Sequence, residues 1–127
     1  MEDLIIDATI KTPEVKFFAS DGILSLRGRS IPENSIDFFR PLHDWIDDYF
    51  QNPSPTTRVE IKLEYFNTSS SKSMLDLFKK MEVLNGVQSN IEIHWYYEED
   101  DEDMLEAGED YQAILNIPVN MIAVDEL

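Results

Sequence analysis

Four hydroxyl-bearing side chains, Thr68 to Ser71, lie between two stretches of opposite periodicity in "LEYFNTSSSKSMLDLF", residues 63–78. The residues before them alternate as in a strand, and those after them repeat as in an amphipathic helix. Because a helix N-terminus presents free N–H groups and a partial positive charge, a phosphate attached there would be tolerated. Phosphorylation adds about −1.5 to −2 charges, which can repel a partner without unfolding the domain. The alternative is that Ser69 to Ser71 only cap the helix and Thr68 ends the strand.

Two further groups of side chains could do chemistry. The carboxylates of "EEDDEDMLE", residues 98–106, could bind a hard cation, but the run lacks the ligand alternation and turn glycine of an EF-hand loop. Acidic residues also favour a helix N-terminus, so we expect a solvated helix start there. His43 is expected on a helix flank and His94 on the polar face of a strand. We expect no catalytic residue, metal or cofactor; the rival hypothesis is a small acidic metal-binding or hydrolytic protein using residues 98–106 and His94.

Composition excludes several classes of protein. The chain has 127 residues, which predicts one domain over residues 1–127. Its 26 acidic and 10 basic residues give a net charge of −16, which disfavours nucleic acid and anionic lipid as partners. It has no cysteine, its first residues are acidic rather than basic, and no apolar run has the length of a membrane span. We therefore expect a cytoplasmic domain with no nucleic-acid or membrane partner.

Several segments alternate apolar and polar residues, which predicts strands with one wet face. "SDG" at 20–22 predicts a turn, so the first two strands should form an N-terminal hairpin. Charged residues at every second position mean that helices can cover only one face of the sheet, and strands connected through helices should be parallel. The predicted strands are residues 15–17, 23–30, 59–65, 91–98 and 119–124.

Three segments have helical spacing. Residues 34–50 should form a helix capped by Asn34 or Ser35, with a kink or break at Pro41, and residues 51–57 should form a loop. A second helix should follow the hydroxyl run and stop at Asn85 and Gly86, and a third should cover about 103–115. The predicted inward-facing positions are Ile36, Phe39, His43, Ile46 and Phe50 in the first helix, Met74, Leu75, Phe78, Met81 and Leu84 in the second, and Leu105, Tyr111 and Ile114 in the third.

Three stretches carry a family resemblance. "PENS" before the first predicted helix, "FFRPLHDWI" within it and above all "YFNTSS.K.M.D.F" over residues 65–78 resemble the SiaC-like family of bacterial regulatory phosphoproteins, over nearly the whole chain. The family is similar in architecture to the STAS domains of anti-sigma-factor antagonists. The resemblance therefore implies an α/β fold: a STAS-like single domain with a mixed β-sheet, an N-terminal hairpin and helices packed on one face.

The resemblance also implies a partner-switching mechanism rather than an enzyme. A Ser/Thr kinase would phosphorylate the protein, a PP2C-type phosphatase would reverse this, and the unmodified form would activate a target, in the best-known branch a diguanylate cyclase that makes cyclic di-GMP and favours biofilm growth. By position the phosphoacceptor falls on Thr68, with Ser69 the second choice. The alternative is a STAS module that binds an anti-sigma-type kinase. The residues expected to bind the partner are Phe66, Asn67, Thr68, Ser69, Ser70, Ser71 and Lys72.

Overall fold

The computed structural model describes all 127 residues, Met1 to Leu127. Six strands form one sheet in sequence order. They are β1 (Leu4–Ile6), β2 (Glu14–Phe18), β3 (Ile23–Ser30), β4 (Thr56–Phe66), β5 (Asn90–Glu98) and β6 (Val119–Val124). The helices are α1 (Ser35–Tyr49), α2 (Thr68–Glu82) and α3 (Glu102–Ile114). None of the three helices has the length and apolar character needed to cross a membrane.

The sheet is mixed, as predicted. Strands β1, β2 and β3 pair antiparallel, and β3 to β6 pair parallel, with one helix in each parallel crossover. The N-terminal hairpin and the strand over residues 119–124 are therefore confirmed. Strand β1 was not predicted, because three residues are too few to show an alternating pattern.

The strands bury one face, and the helices cover that face. Leu24, Ile61 and Trp95 belong to neighbouring strands and are each at most 1% exposed. The alternate residues Glu60 and Lys62 form an ion pair at 3.4 Å on the other face. This confirms the prediction of helices packed on one face, which followed from the charged residues at alternate positions.

Helix α1 starts as predicted, but it continues through Pro41 without the expected break. The Asn34 side chain caps it by accepting the Asp37 N–H at 3.1 Å. The buried face is rotated from the predicted one, because Ile36 is 72% exposed. The residues that α1 buries are Ser35, Phe39, Leu42, Trp45, Ile46 and Tyr49.

The loop predicted over 51–57 is shorter, because β4 already begins at Thr56. Thr57 is fully buried, and its hydroxyl lies 2.9 Å from the Tyr49 hydroxyl and 2.8 Å from Ser89 Oγ. These bonds allow a polar residue in an interior strand position.

Helix α3 packs against the core through Gly108. Ile114, expected inward, is 51% exposed, and the buried residues are Met104, Gly108 and Tyr111. A Cβ at Gly108 would lie 2.6 Å from Trp95 Cδ1, so only glycine lets α3 approach β5 this closely.

Candidate functional site

The hydroxyl run lies where the parallel strands end. Ser30 of β3 pairs with Phe66 of β4, and the Asn67 N–H donates to the Ser30 carbonyl at 3.0 Å. Asn67 caps α2, since its Oδ1 accepts the Ser70 N–H at 2.9 Å. The expectation that the serines cap this helix is therefore wrong. Thr68 does not end the strand either, because it is the first residue of α2.

Ser70 is a buried anchor to β3. Ser70 is 0% exposed. The Ser70 hydroxyl donates to the Ser30 carbonyl at 2.9 Å, and its Oγ lies 2.8 Å from Ser30 Oγ. Its side chain is thus not available at the surface, although it was expected to be among the partner-binding residues.

Ser69 and Ser71 tie α2 to the other two helices. Ser69 is exposed, but its Oγ lies 2.8 Å from Ser35 Oγ of α1. Ser71 Oγ lies 2.9 Å from the Tyr111 hydroxyl of α3, which also donates to the Ser71 carbonyl at 2.9 Å. Burial raises the pKa of Tyr111, so this phenol stays neutral and keeps its proton at neutral pH.

Thr68 differs from its three neighbours. It is exposed, and its hydroxyl makes no hydrogen bond within the chain. Lys72 lies one helical turn later, so it shares a side of α2 with Thr68. It is the one lysine in no ion pair. Thr68 therefore presents a free nucleophilic hydroxyl at a helix N-terminus, with an available cation one turn away.

Two shallow cavities of about 320 Å³ each flank the start of α2. One lies between the starts of α1 and α2 and includes Ile36, which is 72% exposed. The other lies between the end of β4 and the start of α3 and includes Tyr65, which is 52% exposed, and Phe66. Ser69 lines the first cavity and Phe66 lines the second, so an exposed apolar side chain lies near each end of the segment that carries Thr68.

Among the other candidate residues, Asp101 caps a helix and the two histidines lie on different elements. Asp101 caps α3 by accepting the Met104 N–H at 3.1 Å, as expected for a helix start within the acidic run. His94 lies on the open sheet face, with its Nε2 2.8 Å from Glu92 Oε1. His43 is half-buried on α1, and burial, together with the charge of Lys80, lowers its pKa. No group of three or more His, Asp or Glu side chains is placed to hold a metal ion.

Sequence reasoning did not connect Ser30, Ser35 and Tyr111 with the hydroxyl run. The sequence predicts Ser35 only as a possible cap and Tyr111 only as a core residue. The overlooked signal is Ser30, a serine in the inward register that Leu24 and Leu26 begin. A buried serine needs a polar partner, and the hydroxyl run supplies one.

The chain matches known proteins along almost its whole length. A family model described as "SiaC family regulatory phosphoprotein" matches residues 6–124. The chain belongs to the SiaC family. An uncharacterized protein of Pseudomonas aeruginosa strain UCBPP-PA14 is 30% identical over 126 residues, which are 99% of this chain and 100% of the relative.

Solved SiaC structures have the same fold. SiaC of P. aeruginosa superposes with a TM-score of 0.88 at 29% identity, over 98% of this chain and 100% of that one. A chain from the crystal structure of the P. aeruginosa diguanylate cyclase SiaD in complex with its activator SiaC matches with a TM-score of 0.89 at 29% identity, over 96% and 100% of the two chains. The family and the α/β fold are therefore as the sequence predicted.

Proposed function

We propose that this SiaC-family protein is a phosphorylation-controlled activator of a diguanylate cyclase, with Thr68 as the phosphoacceptor. The observation that carries the proposal is the contrast within the hydroxyl run. Ser69, Ser70 and Ser71 each bond to a different element, whereas the Thr68 hydroxyl is exposed and unbonded. The choice of target is supported by the complex of the related SiaC with the cyclase SiaD.

A phosphate on Thr68 would leave the fold intact. Thr68 lies at the N-terminus of α2, where negative charge is favoured by the helix dipole. None of the bonds that hold α2 in place involves the Thr68 hydroxyl. The modification therefore changes the surface and not the packing beneath it.

The same phosphate would block a partner. The exposed apolar side chains of Ile36 and Tyr65 provide the contact area on the two sides of Thr68. A partner that covers them would remove water from the phosphate, whose charge of about −1.5 to −2 exceeds what the single Lys72 ammonium can balance. Burying such an unbalanced charge at an interface costs about 3–5 kcal/mol. The unmodified threonine carries no such cost, so the unmodified form is the one that binds.

The proposed cycle needs three protein partners in the cytoplasm: a Ser/Thr kinase, a PP2C-type phosphatase and the cyclase. The chain supplies the acceptor and the docking surface and no catalytic group. The proposed contact residues are Phe66, Asn67, Thr68, Ser69, Ser71 and Lys72, joined by Ile36 of α1 and Tyr65 of β4.

The test compares Thr68→Ala with the matched variant Ser69→Ala, using the cyclase and kinase of the organism that carries this chain. Both variants keep the apolar contacts and are expected to bind the cyclase, measured by calorimetry, and the affinity of each variant before kinase treatment is its own reference. Treatment with kinase and ATP should weaken binding of the unaltered chain and of Ser69→Ala by about 100-fold or more. Thr68→Ala should be unaffected, and its release from the cyclase by the kinase would refute the assignment.

A further inference from the structure

Exposure alone does not explain why a kinase would modify Thr68 and spare Ser69. Both residues are exposed and adjacent at the start of α2. Their hydrogen bonds differ. The Ser69 hydroxyl donates to Asn67 Oδ1 at 3.1 Å, so its contact with Ser35 at 2.8 Å must use the Ser35 hydroxyl as the donor. The proton and a lone pair of Ser69 are thus both engaged, and those of Thr68 are free.

We propose that Ser35, the first residue of α1, determines the site of phosphorylation, because its hydrogen bond to the Ser69 hydroxyl makes Ser69 a poorer phosphoacceptor than Thr68. This inference rests on the proposed function. In the transfer, a hydroxyl oxygen attacks the γ-phosphorus of ATP while the bond from that phosphorus to the β–γ bridging oxygen breaks. ADP leaves, and the hydroxyl proton passes to a base of the kinase. Ser69 would have to give up its bond to Asn67 so that its proton can pass to the base, and the Ser35 O–H occupies one of its two lone pairs; Thr68 has neither constraint.

Ser35 can have this role because its hydroxyl makes no other side-chain hydrogen bond. It is 6% exposed, and Ser69 is its one side-chain hydrogen-bond partner. Asn34 already caps α1, so the helix start does not need the Ser35 hydroxyl. Ser35→Ala should therefore free the lone pair of Ser69, whose only remaining side-chain bond is the one to Asn67, while leaving α1 formed. Ser73 is the matched control: it lines the same cavity and makes no side-chain hydrogen bond.

The experiment measures which residue carries the phosphate, by peptide mass spectrometry after treatment with ATP and the kinase that modifies the unaltered chain. Ser35→Ala should raise the share of phosphate on Ser69 roughly 2- to 10-fold, the effect of one hydrogen bond. Ser73→Ala should not change that share. Thr68→Ala should take up almost no phosphate, and the double variant Ser35→Ala/Thr68→Ala should be phosphorylated on Ser69.

An unchanged Ser69 share in Ser35→Ala, at an unchanged melting temperature, would overturn the role of Ser35 and leave Thr68 as the acceptor. If Ser35→Ala does not fold, Ser35→Cys serves instead, because a thiol is a weak donor of similar size. If Thr68→Ala is phosphorylated on Ser69 as fully as the unaltered chain is on Thr68, Ser35 does not protect Ser69, and the proposed role of Ser35 is also refuted. Absence of phosphate from both residues of the unaltered chain would refute the proposed function itself.

Discussion

At the scale of single residues, four adjacent hydroxyls differ because their partners differ. The Ser70 hydroxyl is buried against Ser30, and the Ser69 hydroxyl lies at the surface between Asn67 and Ser35. Thr68 has no partner, so it alone can be modified without loss of a hydrogen bond. One polar run can therefore both hold a helix in place and leave one hydroxyl free, as the proposed function requires.

Replacing Ser70 should cost far more stability than replacing Ser69. Ser70→Ala leaves the buried Ser30 hydroxyl without a partner, which costs about 1–3 kcal/mol in the free energy of unfolding. Ser69→Ala also removes the partner of the Ser35 hydroxyl, but that contact is only partly buried and borders a surface cavity where water can replace it, so the cost should stay below about 1 kcal/mol. Urea unfolding of both variants, with Ser73→Ala as control, measures the difference. Equal losses for Ser69→Ala and Ser70→Ala would contradict the anchor role of Ser70.

At the scale of elements, periodicity predicted where helices and strands lie better than how they are rotated. The pattern in α1 located the helix but pointed Ile36 inward, and the pattern in α3 did the same for Ile114. Both residues continue an apolar spacing, and only packing against the sheet decides which flank of a helix is buried. The hydroxyl run is visible in the sequence. Its bonds to Ser35 and Tyr111 could not be predicted, because they depend on elements that are distant in the sequence.

The contact between α1 and α2 should weaken in mild acid through His43. Burial first, and the Lys80 charge second, lower the folded-state pKa of His43 below its ordinary 6.5, while Asp47, Asp76 and Asp44 oppose this. The unfolded chain then binds more protons between 6.5 and that lower pKa. Stability contributed by neutral His43 is thus complete above pH 6.5 and is lost as pH falls through the folded-state pKa.

The measurement is the free energy of unfolding at pH 7.5 and 5.5 for the unaltered chain and for His43→Gln. Because carboxylates also titrate toward the lower pH, the decisive quantity is the difference between the two proteins. His43→Gln should gain stability relative to the unaltered chain as the pH falls. A difference that stays constant between the two pH values would show that His43 does not contribute to the pH dependence of stability.

At the scale of the whole molecule, the dominant feature is the excess of acidic residues. This excess is read directly from the sequence, and the ion pairs of the folded chain do not neutralise it. The chain has 26 acidic residues and 10 Lys and Arg residues, and the structure places them in seven ion pairs. Most carboxylates therefore remain unpaired. Exposed pairs contribute about 0–1 kcal/mol each, so repulsion among the excess acids should outweigh them.

Salt should accordingly stabilise this protein. Screening reduces both the repulsion and the attraction, but the repelling charges outnumber the paired ones. The melting temperature at pH 7 should rise as sodium chloride increases from about 0.01 M to 0.1 M, where the Debye length shortens from about 30 Å to 10 Å, and then level off. A phosphate on Thr68 adds to the excess, so the phosphorylated chain should show the steeper rise. A melting temperature that falls with salt would mean that the ion pairs dominate the excess acids.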